Sequence, residues 1–184
     1  MTRPHRRMLL RALTLGAAGL SALIAGNAWA QAVVVRDDRG TEHRFVQAPQ
    51  RIVTMLPSLT EMAWVLGAGP RLVGVDRFSN WPAAIDKLPR LGGLEDAHIE
   101  AIAALKPDLI LASTASRAMD RLEALGFTVL RLRSDSHADL RRALDRVALV
   151  LGTPAEGERV WARLQRELDA AAARVPAALR GQRV

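Results

Sequence analysis

The segment AIAALKPDLILA, residues 101–112, constrains the fold of this chain more than any other feature. An alanine-rich stretch of helical character meets Pro107, and the apolar run 109–112 follows at once. Proline disfavours helical backbone in the residue before it, so a helix cannot continue through Lys106. A short uninterrupted apolar run is typical of a strand buried on both faces of a sheet. The segment therefore predicts a helix that passes directly into a buried strand.

The same alternation recurs along the chain. Apolar runs that predict strands are separated by stretches that predict helices, and several of these helices end at glycine. The predicted strands are 52–56, 72–75, 109–112 and 127–132; the predicted helices are 58–66, 117–125, 138–151 and one that starts at about residue 97. Ser58 and Glu61 have the spacing of a capping box. Strands that alternate with helices indicate an α/β fold: a parallel-sheet lobe with helices on both faces.

Two further elements flank these units. At the amino end, VVVRDDRGTEHRFV (33–46) places two apolar runs around Asp38-Arg39-Gly40, which predicts a β-hairpin. At the carboxyl end, residues 153–178 predict one long helix, because Pro154 suits a first helical turn and apolar residues follow at helical spacing. If the helix is unbroken from Pro154 to Val175, about 22 residues would span roughly 33 Å.

Residues 1–30 have the three-part pattern of a secretory signal peptide. A basic start precedes an apolar core, and Ala28-Trp29-Ala30 forms a cleavage site before Gln31. The arginine pair at 6–7 leaves both general secretion and twin-arginine export open. No later stretch is long and apolar enough to cross a bilayer. We therefore expect cleavage after Ala30 and export to the periplasm, with no stable membrane insertion afterwards.

The composition excludes several classes of protein. The formal net charge is +7, but four of the 26 Lys and Arg residues lie in the signal peptide, which leaves 22 against 19 Asp and Glu, or +3. No basic run is interleaved with aromatic residues, so nucleic-acid binding is not expected. The chain contains no cysteine, which excludes disulfides and a lipid-modified cysteine at the cleavage site.

Four loops are expected to share the ligand-binding edge of the sheet. In an open parallel sheet, ligands bind at the carboxyl ends of the strands. The loops there are PSLTE (57–61), DRFSNWP (76–82) and STASR (113–117), and LGGLED (91–96) approaches the same edge. They hold one Trp, one Phe, several hydroxyl groups and few charges. This mixture favours contact with a broad, partly apolar ligand over acid–base chemistry.

Each loop residue also has a purely structural interpretation. Trp81 either packs back on its own domain or forms an aromatic wall against a ligand. The Pro57-Ser58 pair either starts a helix or also offers free backbone N–H donors to a ligand. Gly92-Gly93 is either a simple turn or a place where a ligand approaches the backbone closely.

Enzymatic interpretations have less support in the sequence. GAGPRLVG (67–74) loosely resembles a dinucleotide-binding loop, but it follows a predicted helix and Leu72 replaces the third glycine. His98 with Glu100, and His137 with its neighbouring aspartates, lack a standard metal-ligand spacing. No nucleophile motif is present. We expect no catalytic residue and no metal-ligating residue, and a stand-alone α/β enzyme or dinucleotide-binding protein stays as the alternative.

The chain resembles a known family in three stretches. PQRIV…PSLTE (49–61), VGV (73–75) before Trp81-Pro82, and IEAIAALKPDLILA (99–112) resemble the periplasmic iron-chelate and cobalamin (vitamin B12) binding proteins of ABC importers. The resemblance runs from about residue 33 to 184. It implies two α/β lobes joined by a long helix, with a ligand clamped between them. Residues 31–152 then form the first lobe, 153–178 the interdomain helix, and 179–184 the start of a second lobe that is absent, so the chain is expected to be incomplete.

The resemblance also implies roles for individual residues. The ligand would be a metal chelate, such as cobalamin, haem or a ferric siderophore, with no further cofactor. The residues that would bind it are Pro57, Ser58, Leu59, Trp81, Gly93, Leu94 and Ser113. Leu94 and Ser113 stand where some relatives have aromatic residues, which argues against cobalamin itself. Glu100 matches a glutamate that pairs with arginines of the importer's membrane permease, the expected protein partner.

Overall fold

The structure, a computed structural model, describes residues 32–176. The predicted signal peptide (1–30) and the expected start of a second lobe (179–184) lie outside the described residues. The described part of the chain is a small hairpin, a parallel sheet with helices on both faces, and a long final helix. The predicted α/β class is confirmed. No helix within 32–176 is both long enough and apolar enough to span a membrane.

The hairpin forms where the sequence predicts it. Strands β1 (Val33–Arg36) and β2 (Glu42–Phe45) pair in antiparallel orientation, with Val33 opposite Phe45. Gly40 lies in the turn with a φ of 88°, which glycine adopts without steric cost. The hairpin joins the hydrophobic core through the buried Phe45 side chain.

The four predicted strands form one parallel sheet. They are β3 (Ile52–Thr54), β4 (Leu72–Val75), β5 (Leu109–Ser113) and β6 (Val129–Leu132). The strand order is β4–β3–β5–β6, and every neighbouring pair is parallel. β5 and β6 are buried along almost their whole length, as expected for strands covered on both faces.

Helices cover the two faces of this sheet. They are α1 (Pro57–Ala63), α2 (Ile99–Ala104), α3 (Met119–Ala124) and α4 (His137–Leu151). α1 and α4 lie on the same face as the hairpin, and their buried side chains form one core cluster. α2 and α3 lie on the opposite face, where Ile102 and Leu122 pack in a second cluster that includes Ile110 of β5.

The turn from α2 into β5 has the predicted form. Lys106 adopts a φ of 47° and closes the helix before Pro107. The Asp108 carboxylate then accepts the backbone N–H groups of Gln50 and Arg51, at 2.7 and 2.9 Å. One side chain thus aligns the starts of β3 and β5, which are neighbours in the sheet.

The predicted capping box at the first helix is wrong. α1 begins at Pro57, and its N-cap is Leu56 in an extended conformation, with no side-chain cap. Proline favours the first helical position, so Ser58 lies inside the helix rather than before it. Its Oγ atom is buried and has no hydrogen-bond partner in the described part of the chain.

The long helix forms as a single element. α5 (Pro154–Ala173) contains 20 residues and is about 30 Å long. It lies close against α4 at Gly157, where a Cβ atom would come within 2.8 Å of the Ala148 Cβ. The helix ends earlier than the predicted 153–178, because Arg174 already forms its C-cap; residues 177 and 178 lie outside the described range.

Candidate functional site

The connections of β3 and β5 define a crevice at one edge of the sheet. These strands are neighbours, but the chain leaves β3 towards β4 on one side and leaves β5 towards β6 on the other. At such a switch point the loops after the two strands diverge, and ligands bind between them. The loop with Pro57 follows β3 and the loop with Thr114 follows β5. The predicted site therefore lies at a topologically favourable position.

A chain of buried hydroxyl groups holds the loop after β4 against α1. The Thr54 and Thr60 hydroxyl oxygens are 2.6 Å apart, and those of Thr60 and Ser79 are 2.7 Å apart. The Ser79 hydroxyl also bonds to the buried Asp76 carboxylate, which accepts the Phe78 N–H at 2.8 Å. Sequence analysis missed this network. The spacing of Asp76 and Ser79 indicates a local Asp turn, but nothing in the sequence signals the bond to Thr60.

Two aromatic side chains project from this loop. Trp81 is 49% exposed and precedes Pro82 through a cis peptide bond, and Phe78 is 60% exposed. The Arg77 guanidinium lies 4.9 Å from the centre of the Phe78 ring. Exposed aromatic surface on a rigidly held loop is typical of a binding site. Sequence analysis did not select Phe78 as a site residue, although its position in the same loop as Trp81 was a usable signal.

The glycine loop packs directly on the aromatic loop. The Arg77 N–H donates to the Gly92 carbonyl at 2.8 Å, and the Arg77 guanidinium pairs with Asp96 at 2.6 Å. A Cβ atom on Gly93 would come within 3.0 Å of the Phe78 ring. The close approach at Gly93 is therefore made by Phe78 within this chain. Contact between Gly93 and a ligand stays a prediction.

The Asp96 carboxyl stabilises the glycine loop as an anion. It accepts the Gly93 N–H at 2.9 Å and lies beside the Arg77 charge. Desolvation by itself would raise the pKa of Asp96, but the Gly93 hydrogen bond and the Arg77 charge together lower that pKa below its ordinary value of 3.8. The Asp96 carboxyl is therefore ionised at neutral pH, and the carboxylate holds the glycine loop.

The loop after β5 is tied to the glycine loop by a serine. The Ser116 hydroxyl donates to the Leu94 carbonyl at 2.8 Å. The Ser113 hydroxyl accepts the Ala115 N–H at 3.2 Å. Leu94 and Ser113, the two predicted ligand residues here, are both half-buried. Because Ser116 bonds to Leu94, the loops that carry them contact each other.

The residues after β3 differ in what they offer a ligand. Pro57 and Ser58 are half-buried, whereas Leu59 is only 1% exposed and its side chain packs in the core beneath α1. The Leu59 side chain is therefore not exposed to a ligand in this structure, and a contact between Leu59 and a ligand stays a prediction. A matching motif places the residue on the helix, but helical geometry turns this position towards the sheet.

Glu100 lies on the surface, as its predicted role requires. It is in the first turn of α2, its side chain is 85% exposed, and its carboxylate lies 3.7 Å from the guanidinium of Arg121, whose side chain is 70% exposed. Ion pairs between exposed groups contribute little stability, so this pair leaves Glu100 accessible to a partner. Within residues 32–176 no group of three or more His, Cys, Asp or Glu side chains could hold a metal ion.

Comparisons with known proteins agree with this architecture. Residues 52–183 match the family described as periplasmic binding protein. A vitamin B12-binding protein of Yersinia pestis (strain Pestoides F) is 37% identical over 106 residues, which cover 55% of this chain and 38% of that protein. The chain thus spans well under half the length of such curated relatives.

Solved structures of periplasmic binding proteins are also similar to this chain over about half of their own length. A periplasmic heme binding protein from Pseudomonas aeruginosa superposes with a TM-score of 0.61 and 32% identity, over 68% of this chain and 48% of that one. The periplasmic vitamin B12 binding protein of Vibrio cholerae gives a TM-score of 0.57 and 29% identity, over 68% of this chain and 52% of that one.

Proposed function

Because this chain belongs to the periplasmic binding protein family, we propose that it is the substrate-binding component of an ABC importer and performs no catalysis. Its substrate is a metal chelate with a broad, partly apolar face: a corrinoid, a haem or a ferric siderophore. The observation that carries the proposal is the exposed pair Phe78 and Trp81 at the switch-point edge of the sheet.

The aromatic pair suits a conjugated or macrocyclic ligand. Aromatic rings bury a large area and stack on flat π surfaces with defined geometry. The loop that carries them is held by the Thr60–Ser79 contact, and a site on a rigid support loses less entropy when it binds. Two relatives whose names describe them as vitamin B12-binding and heme binding proteins support this class of ligand.

The choice among chelates depends on two positions. Leu94 and Ser113 are half-buried and carry no ring. At this edge of the sheet the exposed rings are those of Trp81 and Phe78, both on the loop after β4. This arrangement favours a ligand that stacks on one loop over a ligand enclosed by rings from three loops. We propose haem or another iron chelate before cobalamin for this reason.

The alternative of a dinucleotide-binding protein has less support. Residues 67–74 lead from the end of a helix into β4, and Gly67 closes that helix with a φ of 84°. A dinucleotide loop runs in the opposite direction, from a strand into the N-terminus of a helix that binds the pyrophosphate. The segment therefore lacks the helix terminus that this chemistry needs.

The proposal includes a location and a partner. We propose that the signal peptide is cleaved after Ala30 and that the chain acts in the periplasm, where Glu100 docks on basic residues of the importer's permease. The mass of the exported protein tests the cleavage point, because it must correspond to a chain that starts at Gln31.

A thermal-shift comparison tests the function. The purified chain is heated with hemin, cyanocobalamin or a ferric siderophore, and in parallel with NAD or ATP. Binding to the native state raises the unfolding temperature, so we expect a shift with at least one chelate and none with the nucleotides. Shifts with nucleotides alone would favour the enzyme alternative.

A further inference from the structure

We propose that Arg131 is a positioning residue for the ligand edge, an inference that rests on the proposed function. Its buried guanidinium sets the loop after β5 and, through that loop, the glycine loop that carries Leu94. The proposal follows from where each of its nitrogen atoms bonds.

The Arg131 side chain is fully enclosed within the sheet lobe. It lies in β6, a strand whose other residues are apolar, and it is 0% exposed. Nε donates to the Glu123 carboxylate at 2.7 Å and one terminal nitrogen to the Asp120 carboxylate at 2.6 Å. Both acids lie on α3, so two of the three nitrogens fix the guanidinium plane against that helix.

The remaining nitrogen bonds to the loop instead of the helix. Nη1 donates to the carbonyl oxygens of Ser116, at 2.5 Å, and Ser113, at 3.3 Å. The Ser116 hydroxyl in turn donates to the Leu94 carbonyl. One rigid fork is thus connected to both loops that carry Leu94 and Ser113.

The cost of burying this cation argues for a role beyond stability. Replacing buried ion pairs by well-packed apolar side chains is often neutral or stabilising, and Val129, two residues before Arg131 and on the same face of β6, already packs in the apolar cluster beside α3. An apolar residue, with apolar partners on α3, would extend that cluster. An apolar residue would not, however, donate hydrogen bonds to the carbonyl oxygens of Ser113 and Ser116.

The contacts of Arg131 depend on the shape of the guanidinium group as well as on its charge. Arginine presents a planar fork with donors in fixed directions, whereas lysine has one compact ammonium group. Arg131→Lys would keep a positive charge near Asp120 and Glu123 but could not bridge both acids and both carbonyls. Arg131→Met would keep the apolar stem and remove the donors.

Amide hydrogen exchange tests the positioning directly. The reporters are the N–H groups of Thr114, Ala115 and Ser116, each of which is hydrogen-bonded within the loop or to β6. We expect both Arg131→Lys and Arg131→Met to speed their exchange about tenfold, because the loop opens more often once its anchor is lost. The matched control is Arg142→Met, which removes a partly buried arginine from α4 on the other face of the sheet.

Titration with hemin and cyanocobalamin then tests whether the position of these loops affects the affinity for the chelate. We expect the two Arg131 variants to bind the recognised chelate about tenfold more weakly, since small displacements of contacting groups are costly, while Arg142→Met binds as the parent does. Unfolding temperatures measured in parallel separate this effect from general destabilisation.

The outcomes distinguish the two proposals. Unchanged exchange in both Arg131 variants, parental affinity in Arg131→Lys, or an equal loss in Arg142→Met would overturn the positioning role. If the parent chain binds neither hemin nor cyanocobalamin nor a ferric siderophore, the proposed function fails, and the exchange comparison still decides whether Arg131 sets the loop.

Discussion

The hydroxyl oxygen of Thr60, in α1, lies 2.7 Å from the hydroxyl oxygen of Ser79, in the loop that carries Trp81. This contact joins α1, which follows β3, to the loop that follows β4. Both groups are buried, and each has one further side-chain partner, Thr54 for Thr60 and Asp76 for Ser79. Buried hydrogen bonds therefore fix the position of the loop that carries Trp81.

Thr60→Val should destabilise the protein. It removes the partner of the buried Thr54 hydroxyl, whereas the Ser79 hydroxyl keeps its bond to Asp76, and a buried polar group left unpaired costs about 1–3 kcal/mol. Urea denaturation should give a lower free energy of unfolding by this amount. Thr128→Val is the control, because its hydroxyl belongs to no part of this network. Equal stability of Thr60→Val and the parent would show that the network is not needed.

Acid should weaken the attachment of the hairpin. Partial burial by itself raises the pKa of Asp38, but the Arg133 N–H and the Arg146 and Arg142 guanidinium groups lower it below its ordinary value of 3.8. A carboxyl whose pKa is lower in the folded state contributes stability above its unfolded pKa, and this is lost as the pH falls towards its folded pKa.

The free energy of unfolding should therefore fall between pH 5 and pH 3, roughly the range around the unfolded pKa. Asp38→Asn should be less stable than the parent at pH 7 and should lose less stability over that range. Asp135→Asn, at an exposed position, is the control. The same pH dependence in Asp38→Asn and the parent would contradict the assignment.

Phe78→Ala should weaken chelate binding and leave stability nearly unchanged. The ring is largely exposed, so its loss creates no cavity, whereas an aromatic anchor in an interface typically contributes more than about 1 kcal/mol, or five- to tenfold in affinity. Calorimetric titration measures the effect. Leu125→Ala removes an equally exposed apolar side chain beyond α3 and should have no effect; a matching loss there would mean that the titration reports nonspecific contact.

Glu100 should matter for docking and not for ligand binding. Glu100→Ala should keep the parent's chelate affinity and bind less well to nanodiscs that carry the cognate importer, and Glu100→Arg should bind still less, because like charges repel at an interface. Glu167→Ala removes another exposed acid, on α5, as the control. Unaltered docking by both Glu100 variants would leave Glu100 as an ordinary first-turn acid.

The parts of the fold that sequence predicts best are those with local causes. Pro107 and the apolar run after it determine the turn from α2 into β5, and Gly40 determines the turn of the hairpin. The capping box failed for a local reason as well: Pro57 competes with Ser58 for the start of the helix and takes the first position. The sequence Pro57-Ser58 alone does not show which of the two residues begins the helix.

The site was harder to predict because its supports are tertiary. Thr60 and Ser79 are 19 residues apart, and Arg131 and Ser113 are 18 apart. Their contacts exist only once the sheet is assembled. The family pattern indicates which loops to consider, but it does not show that the Leu59 side chain packs in the core or that Phe78 is exposed.

The proposed position of the ligand can be measured by tryptophan fluorescence. Two proteins are compared, one retaining Trp81 and one retaining Trp161 on α5, with the other tryptophans changed to phenylalanine. Each is titrated with hemin and cyanocobalamin, which absorb where tryptophan emits.

We predict saturable quenching by at least one of the two chelates that is distinctly stronger at Trp81 than at Trp161, because Trp81 lies on the proposed ligand edge and Trp161 lies on α5. No saturable quenching with either chelate, or equal quenching of Trp81 and Trp161, would contradict the assignment of this edge as the chelate-binding site.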